Sequence, residues 1–166
     1  KQIHEPGLIL THLHEGIIEA LHQNESKNAD GMDIGLCRLE YVNQDEVILT
    51  YAGAKRPMYY TEGFLLHEIK GDKQSIGGRR RKKRDPYANQ EIQLERGSII
   101  YLTTDGYVDQ CDMNRVKLGT LTLKRMLLDM TILPLDRQQE RLEEVLDNHQ
   151  GGAEQRDDIT ILGLKL

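Results

Sequence analysis

Two cysteines, Cys37 and Cys111, are too few to staple a chain of 166 residues, so its fold must rest on a hydrophobic core rather than on disulfides. A reducing, cytoplasmic setting fits that usage. The apolar share, 38%, is enough for one domain with a real core. No apolar run approaches the roughly 18 to 20 residues that span a bilayer. The opening Lys1-Gln2-Ile3-His4-Glu5-Pro6 has no signal-peptide anatomy, and no membrane contact is expected of this chain. There is no internal repeat.

Surplus positive charge is also missing. The formal net charge is −5, although six of the 22 basic residues sit together at Arg79-Arg80-Arg81-Lys82-Lys83-Arg84. Outside that hexad 16 basic residues face 27 acidic ones, a balance of −11. Nucleic-acid binding depends on Lys and Arg neutralising phosphates across a broad face, so no nucleic-acid partner is expected. The hexad, with no apolar residue in it, reads as a solvated loop, with docking of an anionic partner as the alternative. Histidine offers no metal site either. Of His12, His14 and His22 only the last two share a helix face, and no cysteine or further histidine completes a zinc set.

The apolar pattern that is present changes period along the chain. Leu10, Leu13, Ile17 and Leu21 recur at three- and four-residue spacing and predict a helix over 8–21. Met32, Ile34 and Leu36 then alternate with Asp33, Gly35 and Cys37, which predicts a strand. Val47 to Ala52 follows the polar turn 43–46, and Met58 to Thr61 and Phe64 to His67 flank Glu62-Gly63, giving two successive hairpins. Glu91 to Leu94 and Ser98 to Leu102 around Glu95-Arg96-Gly97 read as a third.

Helical spacing returns at Leu121 to Met130, with Leu123, Met126, Leu127 and Met130 on one face as core packing, and stops at Leu133-Pro134. A second helix is expected with Asp136 as N-cap, Leu142, Val145 and Leu146 buried, and Gly151-Gly152 as its end. Ile159 to Leu166 closes the chain as a strand. The order of elements predicts an α+β layered architecture.

Two acidic clusters adjoin strongly apolar strands. Thr103-Thr104-Asp105-Gly106-Tyr107-Val108-Asp109 follows Ile99 to Leu102, and Arg156-Asp157-Asp158 precedes Ile159. Carboxylates at strand ends point from rigid backbone into one rim, as a hard cation such as Mg²⁺ or Mn²⁺ needs, and Gly106 leaves space for an ion or its water. Each cluster alone is equally a turn or an edge-protecting device.

Five segments, taken in order, resemble one family across nearly the whole chain. They are Asp30-Gly31-Met32-Asp33-Ile34-Gly35-Leu36-Cys37; Leu49 to Pro57 with Ala52-Gly53-Ala54-Lys55-Arg56-Pro57; Gly71 to Gly77; Ile99 to Gly106; and Asp157-Asp158-Ile159-Thr160. The family is the PPM-type metal-dependent serine/threonine protein phosphatases, in their SpoIIE-like bacterial branch. The resemblance implies a sandwich of antiparallel sheets flanked by helices. It also implies that Asp105 and Asp157 are metal ligands, with Asp109 matching an acidic position that follows the first and Asp158 completing the second motif.

Two Mn or Mg ions are implied for a complete domain. Such ions, about 3.5 to 4 Å apart, acidify a shared water for attack on a phosphoserine or phosphothreonine ester. The implied substrate is a phosphorylated regulatory protein of the anti-anti-sigma type, with sensor domains upstream in the parent.

The resemblance is to the C-terminal part of that domain over 1–166. The family's first motif, an Asp-Gly pair followed by Gly-His-Gly, is not in this sequence. Two dications 4 Å apart repel by roughly 17 kcal/mol at an effective dielectric of 20, so without the bridging carboxylate a two-metal site is not expected to assemble. The chain alone is expected to be inactive, binding at most one metal through Asp105 and Asp157. The apolar surface left by the missing part is expected to favour a homodimer. The alternative is a non-catalytic binding module of the same fold. Lys55 and Arg56 stand where many relatives have His-Asn or Asn-Asn; they read as an exposed turn or, alternatively, as contacts to a substrate phosphate.

Overall fold

The computed structural model describes residues 4–78 and 85–166, so the basic hexad at 79–84 lies outside the described residues. Among those described, no helix is long and apolar enough to cross a membrane. The chain divides into two units, residues 1–58 with 69–96, and 59–68 with 97–166.

In the first unit, helix α1 (Pro6–Ala20) precedes a short strand β1 (Gly31–Met32) and the long hairpin β2 (Ile34–Tyr41) and β3 (Glu46–Ala54). These two pair antiparallel from Ile34↔Ala54 to Tyr41↔Val47, in the expected hairpin. The helix lies against β2 and β3, where Leu10 joins Ala52, Ala54, Ile76 and Tyr87 in one cluster.

The buried face of α1 is rotated from the expected one. Gly7, Leu10, His14 and Ile18 are buried, whereas Leu13 and Leu21 are 36% and 41% exposed. Two residues that apolar counting ignores explain it. A Cβ on Gly7 would lie 2.3 Å from the Tyr87 carbonyl oxygen, so glycine permits the close approach there. His14 is held inside by accepting the Gly77 N–H on Nδ1 at 2.9 Å.

In the second unit, β4 (Met58–Glu62) and β5 (Leu65–Ile69) form the second expected hairpin. Beyond β6 (Ile76–Gly77) and β7 (Gln90–Glu95), both grouped with the first unit, come β8 (Ile99–Thr103), the single turn α2 (Gly106–Asp109), α3 (Thr120–Asp129), α4 (Leu135–Gln150) and β9 (Ile161–Lys165). The sheets have orders β1-β6, β2-β3-β7 and β5-β4-β8-β9. Antiparallel sheets with helices agree with the expected α+β class.

The third expected hairpin does not exist. β7 pairs with β3 from Glu46↔Glu95 to Tyr51↔Gln90, and β8 pairs with β9 from Ile99↔Lys165 to Thr103↔Ile161. The connecting residues separate the two strands: Arg96 N–H donates to Asp45 O, while Gly97 N–H donates to Leu166 O. A short Gly-containing link suits a hairpin as well as a change of sheet, and only the long-range partners distinguish them.

Helices α3 and α4 bury the expected apolar face. Leu123, Leu127, Met130 and Leu142 pack with Tyr59, Ile99, Tyr101 and Tyr107, and Val145 and Leu146 lie against this core. Leu127 is fully buried, so its truncation to alanine is expected to cost about 3 kcal/mol. The tyrosine hydroxyls find partners inside: Tyr101 donates to Gln138 Oε1 and Tyr107 to the Leu142 carbonyl, at 2.8 and 2.9 Å.

Asp136 is not the N-cap of α4. Pro134 is, and its carbonyl accepts the Gln138 N–H, which leaves Asp136 inside the first turn where its charge complements the helix dipole.

Candidate metal centre

Both acidic motifs fall in the second unit, at the ends of two hydrogen-bonded strands. Asp105 lies two residues beyond the end of β8 and is the N-cap residue of α2, whose Asp109 N–H returns to the Asp105 carbonyl at 2.9 Å. Asp157 and Asp158 lie in the irregular segment between α4 and β9. Because β8 and β9 are adjacent and antiparallel, the end of one meets the start of the other.

Thr104 locks that junction. Its N–H donates to Thr160 O at 3.0 Å, its hydroxyl donates to Asp158 O at 3.0 Å, and the same hydroxyl accepts the Thr160 N–H at 2.9 Å. Gly106 completes the contact. A Cβ there would sit 2.4 Å from the Asp158 carbonyl oxygen, so any side chain would push the two motifs apart.

The predicted residues separate into two groups. Asp105, Gly106, Asp157 and Asp158 are gathered by these backbone contacts, with the Asp158 N–H donating to Asp157 Oδ1 at 2.8 Å and Gln155 Nε2 donating to the Asp157 carbonyl. Asp109 faces a different partner: Lys117 Nζ lies 2.9 Å from its carboxylate. Thr104, Gln110 and Lys117 contact these segments in ways that the sequence does not announce. None carries a spacing signal, because their roles depend on what lies opposite.

Lys55 and Arg56 belong to the first unit, and Arg56 is not the exposed turn residue expected. Its side chain is 15% exposed and pairs with Asp33 Oδ2 at 3.0 Å, while Lys55 Nζ lies 3.8 Å from Oδ1 and Ser75 donates to that oxygen at 2.6 Å. Lys55 has φ +58°. Tyr51 adds a hydroxyl bond to the Arg56 carbonyl at 2.6 Å. One carboxylate thus organises this turn.

This fold and the paired strand-end motifs define the PP2C class of phosphatase folds. A family model described as stage II sporulation protein E (SpoIIE) matches residues 1–166, and the chain belongs to that family. It is similar to the SiaA-PP2C domain of Pseudomonas aeruginosa, with 31% identity and a TM-score of 0.80 over 98% of this chain and 61% of that one. The chain therefore spans less than two thirds of that relative's length.

The phosphatase domain of the cell fate determinant SpoIIE from Bacillus subtilis matches at 16% identity and a TM-score of 0.57, covering 99% of this chain and 75% of that one. The serine/threonine phosphatase PstP/Ppp of Mycobacterium tuberculosis matches at 14% and 0.59, covering 92% and 67%. At these identities the last two show the fold alone. Comparison with curated protein sequences gave no match.

A metal is implied by this class, and the Bacillus subtilis domain also occurs in an Mn-presoaked form. The donor chemistry here fits in part. Asp105 and Asp157 carry carboxylate oxygens, the donor type that Mg²⁺ or Mn²⁺ takes, and Gly106 next to Asp105 keeps the backbone open. Among the described residues, however, no group of three or more His, Cys, Asp or Glu side chains could hold an ion. Among the described residues the donor set is a partial one.

Proposed function

We propose that this chain is the metal-ligating C-terminal part of a signalling phosphatase domain that hydrolyses phosphoserine or phosphothreonine on a regulatory protein. In this reading Asp105 and Asp157 hold Mn²⁺ or Mg²⁺, with Gly106 and Asp158 shaping the rim and Asp109 outside it. A bound metal of this kind would supply an acidified water as nucleophile. The chain's own residues hold the two carboxylates at fixed strand ends. Thr104 keeps the strand ends in register, and Gly106 keeps the Asp158 carbonyl close. The observation that carries the reading is the Thr104 and Gly106 junction, which fastens two acidic motifs far apart in sequence to one another.

The substrate we propose is an anti-anti-sigma-like phosphoprotein, under control of sensor domains in the parent protein, in a cytoplasmic setting. Turnover requires the rest of the domain, so the chain by itself is inactive. The test is Mn²⁺-dependent hydrolysis of p-nitrophenyl phosphate by this chain, by a form extended to the full length of the domain, and by that form with Asp105→Asn. Activity in the extended form alone, reduced to background by Asp105→Asn, supports the reading; appreciable activity of the short chain overturns the partial-site argument.

A second reading, a non-catalytic module that binds the same partner, is favoured by one observation: no three-residue ligand set occurs among the described residues. A folded but inert full-length domain that still binds the phosphoprotein would select it. Pairing of two copies is a separate proposal, read out by sedimentation of the chain.

A further inference from the structure

Ten residues, 151–160, join α4 to β9 without regular structure, and Asp157 sits among them. A carboxylate in such a segment is only as well placed as the points at which the segment is fastened. Thr104 fastens it at Asp158 and Thr160, as described above. A second fastening lies upstream of Asp157, at Glu154.

That fastening is Gln110, immediately after Asp109 and 1% exposed. Its Nε2 donates to the Cys111 carbonyl at 3.0 Å and to the Glu154 carbonyl at 3.2 Å. Both partners are carbonyl oxygens, so only the NH₂ end of the amide satisfies them, and the orientation is settled by chemistry. The backbone of Gln110 is held equally firmly. Its N–H donates to Gly106 O at 2.9 Å, and its carbonyl accepts from Leu118 N–H at 2.9 Å and from His149 Nε2 at 3.2 Å. His149 stands in the last turn of α4, so this one residue ties together α2, the 111–118 loop, α4 and the segment bearing Asp157.

We infer that Gln110 is a positioning residue: its buried side-chain amide holds Glu154 so that Asp157, caught between two anchors on the Asp105 loop, keeps a fixed place relative to Asp105. The inference rests on the proposed reading of Asp105 and Asp157 as metal ligands. A residue that only filled space would be replaced without consequence by an apolar side chain of the same length. A donor would not.

Gln110→Met keeps the length and removes the donors; Gln110→Glu keeps the shape and turns a carboxylate towards two carbonyl oxygens. Amide hydrogen exchange of Ala153 and Asp158, followed by NMR in the metal-free chain, is expected to accelerate roughly tenfold in Gln110→Met and further in Gln110→Glu. Mn²⁺ affinity, titrated by calorimetry, is expected to fall roughly tenfold in Gln110→Met, as for other residues that orient a ligand. If either variant fails to fold, the unaltered chain still decides. The Gln110 side-chain amide protons must exchange slowly with solvent, and fast exchange overturns the inference.

Unchanged exchange at Ala153 and Asp158 in Gln110→Met, with Mn²⁺ binding intact, also overturns it. If Asp105→Asn and Asp157→Asn leave Mn²⁺ binding unaltered, the ligand reading fails instead. The exchange rates then judge Gln110 as an anchor on their own.

Discussion

Acidic side chains do opposite work in the two units. In the first, Asp33 is enclosed by Arg56, Lys55 and Ser75, and its charge is spent on holding a turn. In the second, Asp157 and Asp158 stand exposed on a segment whose backbone is fastened by Thr104 and Gln110. The contrast separates architecture from chemistry. A carboxylate ringed by cations stabilises the fold, whereas carboxylates whose backbone is pinned while their side chains face solvent keep their charge available. Both lie in segments that carry the family resemblance, so membership of a motif does not by itself mark a residue as functional.

The contrast is broken hardest at Gly106. Gly106→Ala must displace the Asp158 carbonyl, and a loss of about 2 to 3 kcal/mol in urea denaturation, together with loss of Mn²⁺ binding, is expected from such overpacking. Its counterpart in the other unit is Asp33→Ala, which leaves the mostly buried Arg56 guanidinium without that carboxylate. It should cost about 2 kcal/mol in the same assay and leave Mn²⁺ affinity unchanged. Weakened Mn²⁺ binding in Asp33→Ala would show that the two acidic centres are not independent.

Alkaline titration sharpens the difference between the cores. Burial pushes Tyr59, Tyr101 and Tyr107 of the second unit up to about 12, from an ordinary value near 10, and pushes Cys37 of the first unit up to about 12. The unfolded chain loses these protons first, so the stabilisation is complete below about pH 9 to 10 and is lost as pH rises towards 12. Each tyrosine contributes about 1.4 kcal/mol per pH unit between pH 10 and 12, and Tyr107→Phe should flatten the dependence of urea stability on pH by that amount. The smallest effect is expected at the exposed Asp109 and Lys117 pair. Lys117→Ala should change stability by under about 1 kcal/mol; a large drop would place Asp109 among the organising charges instead.

Most elements were legible from residue spacing alone. The hairpin turn 43–46, the stripe Leu123, Leu127 and Met130, and the stop at Pro134 follow from local propensity, which acts over a turn or two of chain and is written in consecutive residues. Two of the differences come from remote contacts and one from a silent local cap. The buried face of α1 departs from its apolar stripe because Gly7 and His14 are buried through contacts with Tyr87 and Gly77, some 60 to 80 positions away. The link at 95–97 passed for a hairpin because its hydrogen-bond partners, Asp45 and Leu166, are equally remote. Asp136 reads as a cap in the sequence because Pro134, two residues earlier, has no polar side chain to advertise the role.

By itself the sequence determined the order of helices and strands, the two acidic motifs and the family they resemble, since periodicity and motif spacing are local properties of a chain. Tertiary structure alone decided which strands pair, that Arg56 belongs to Asp33, and that Thr104, Gly106 and Gln110 meet the backbone of the segment that carries Asp157. Those are contacts between residues distant in sequence. Their hydrogen bonds and close approaches exist only once β8 and β9 lie side by side.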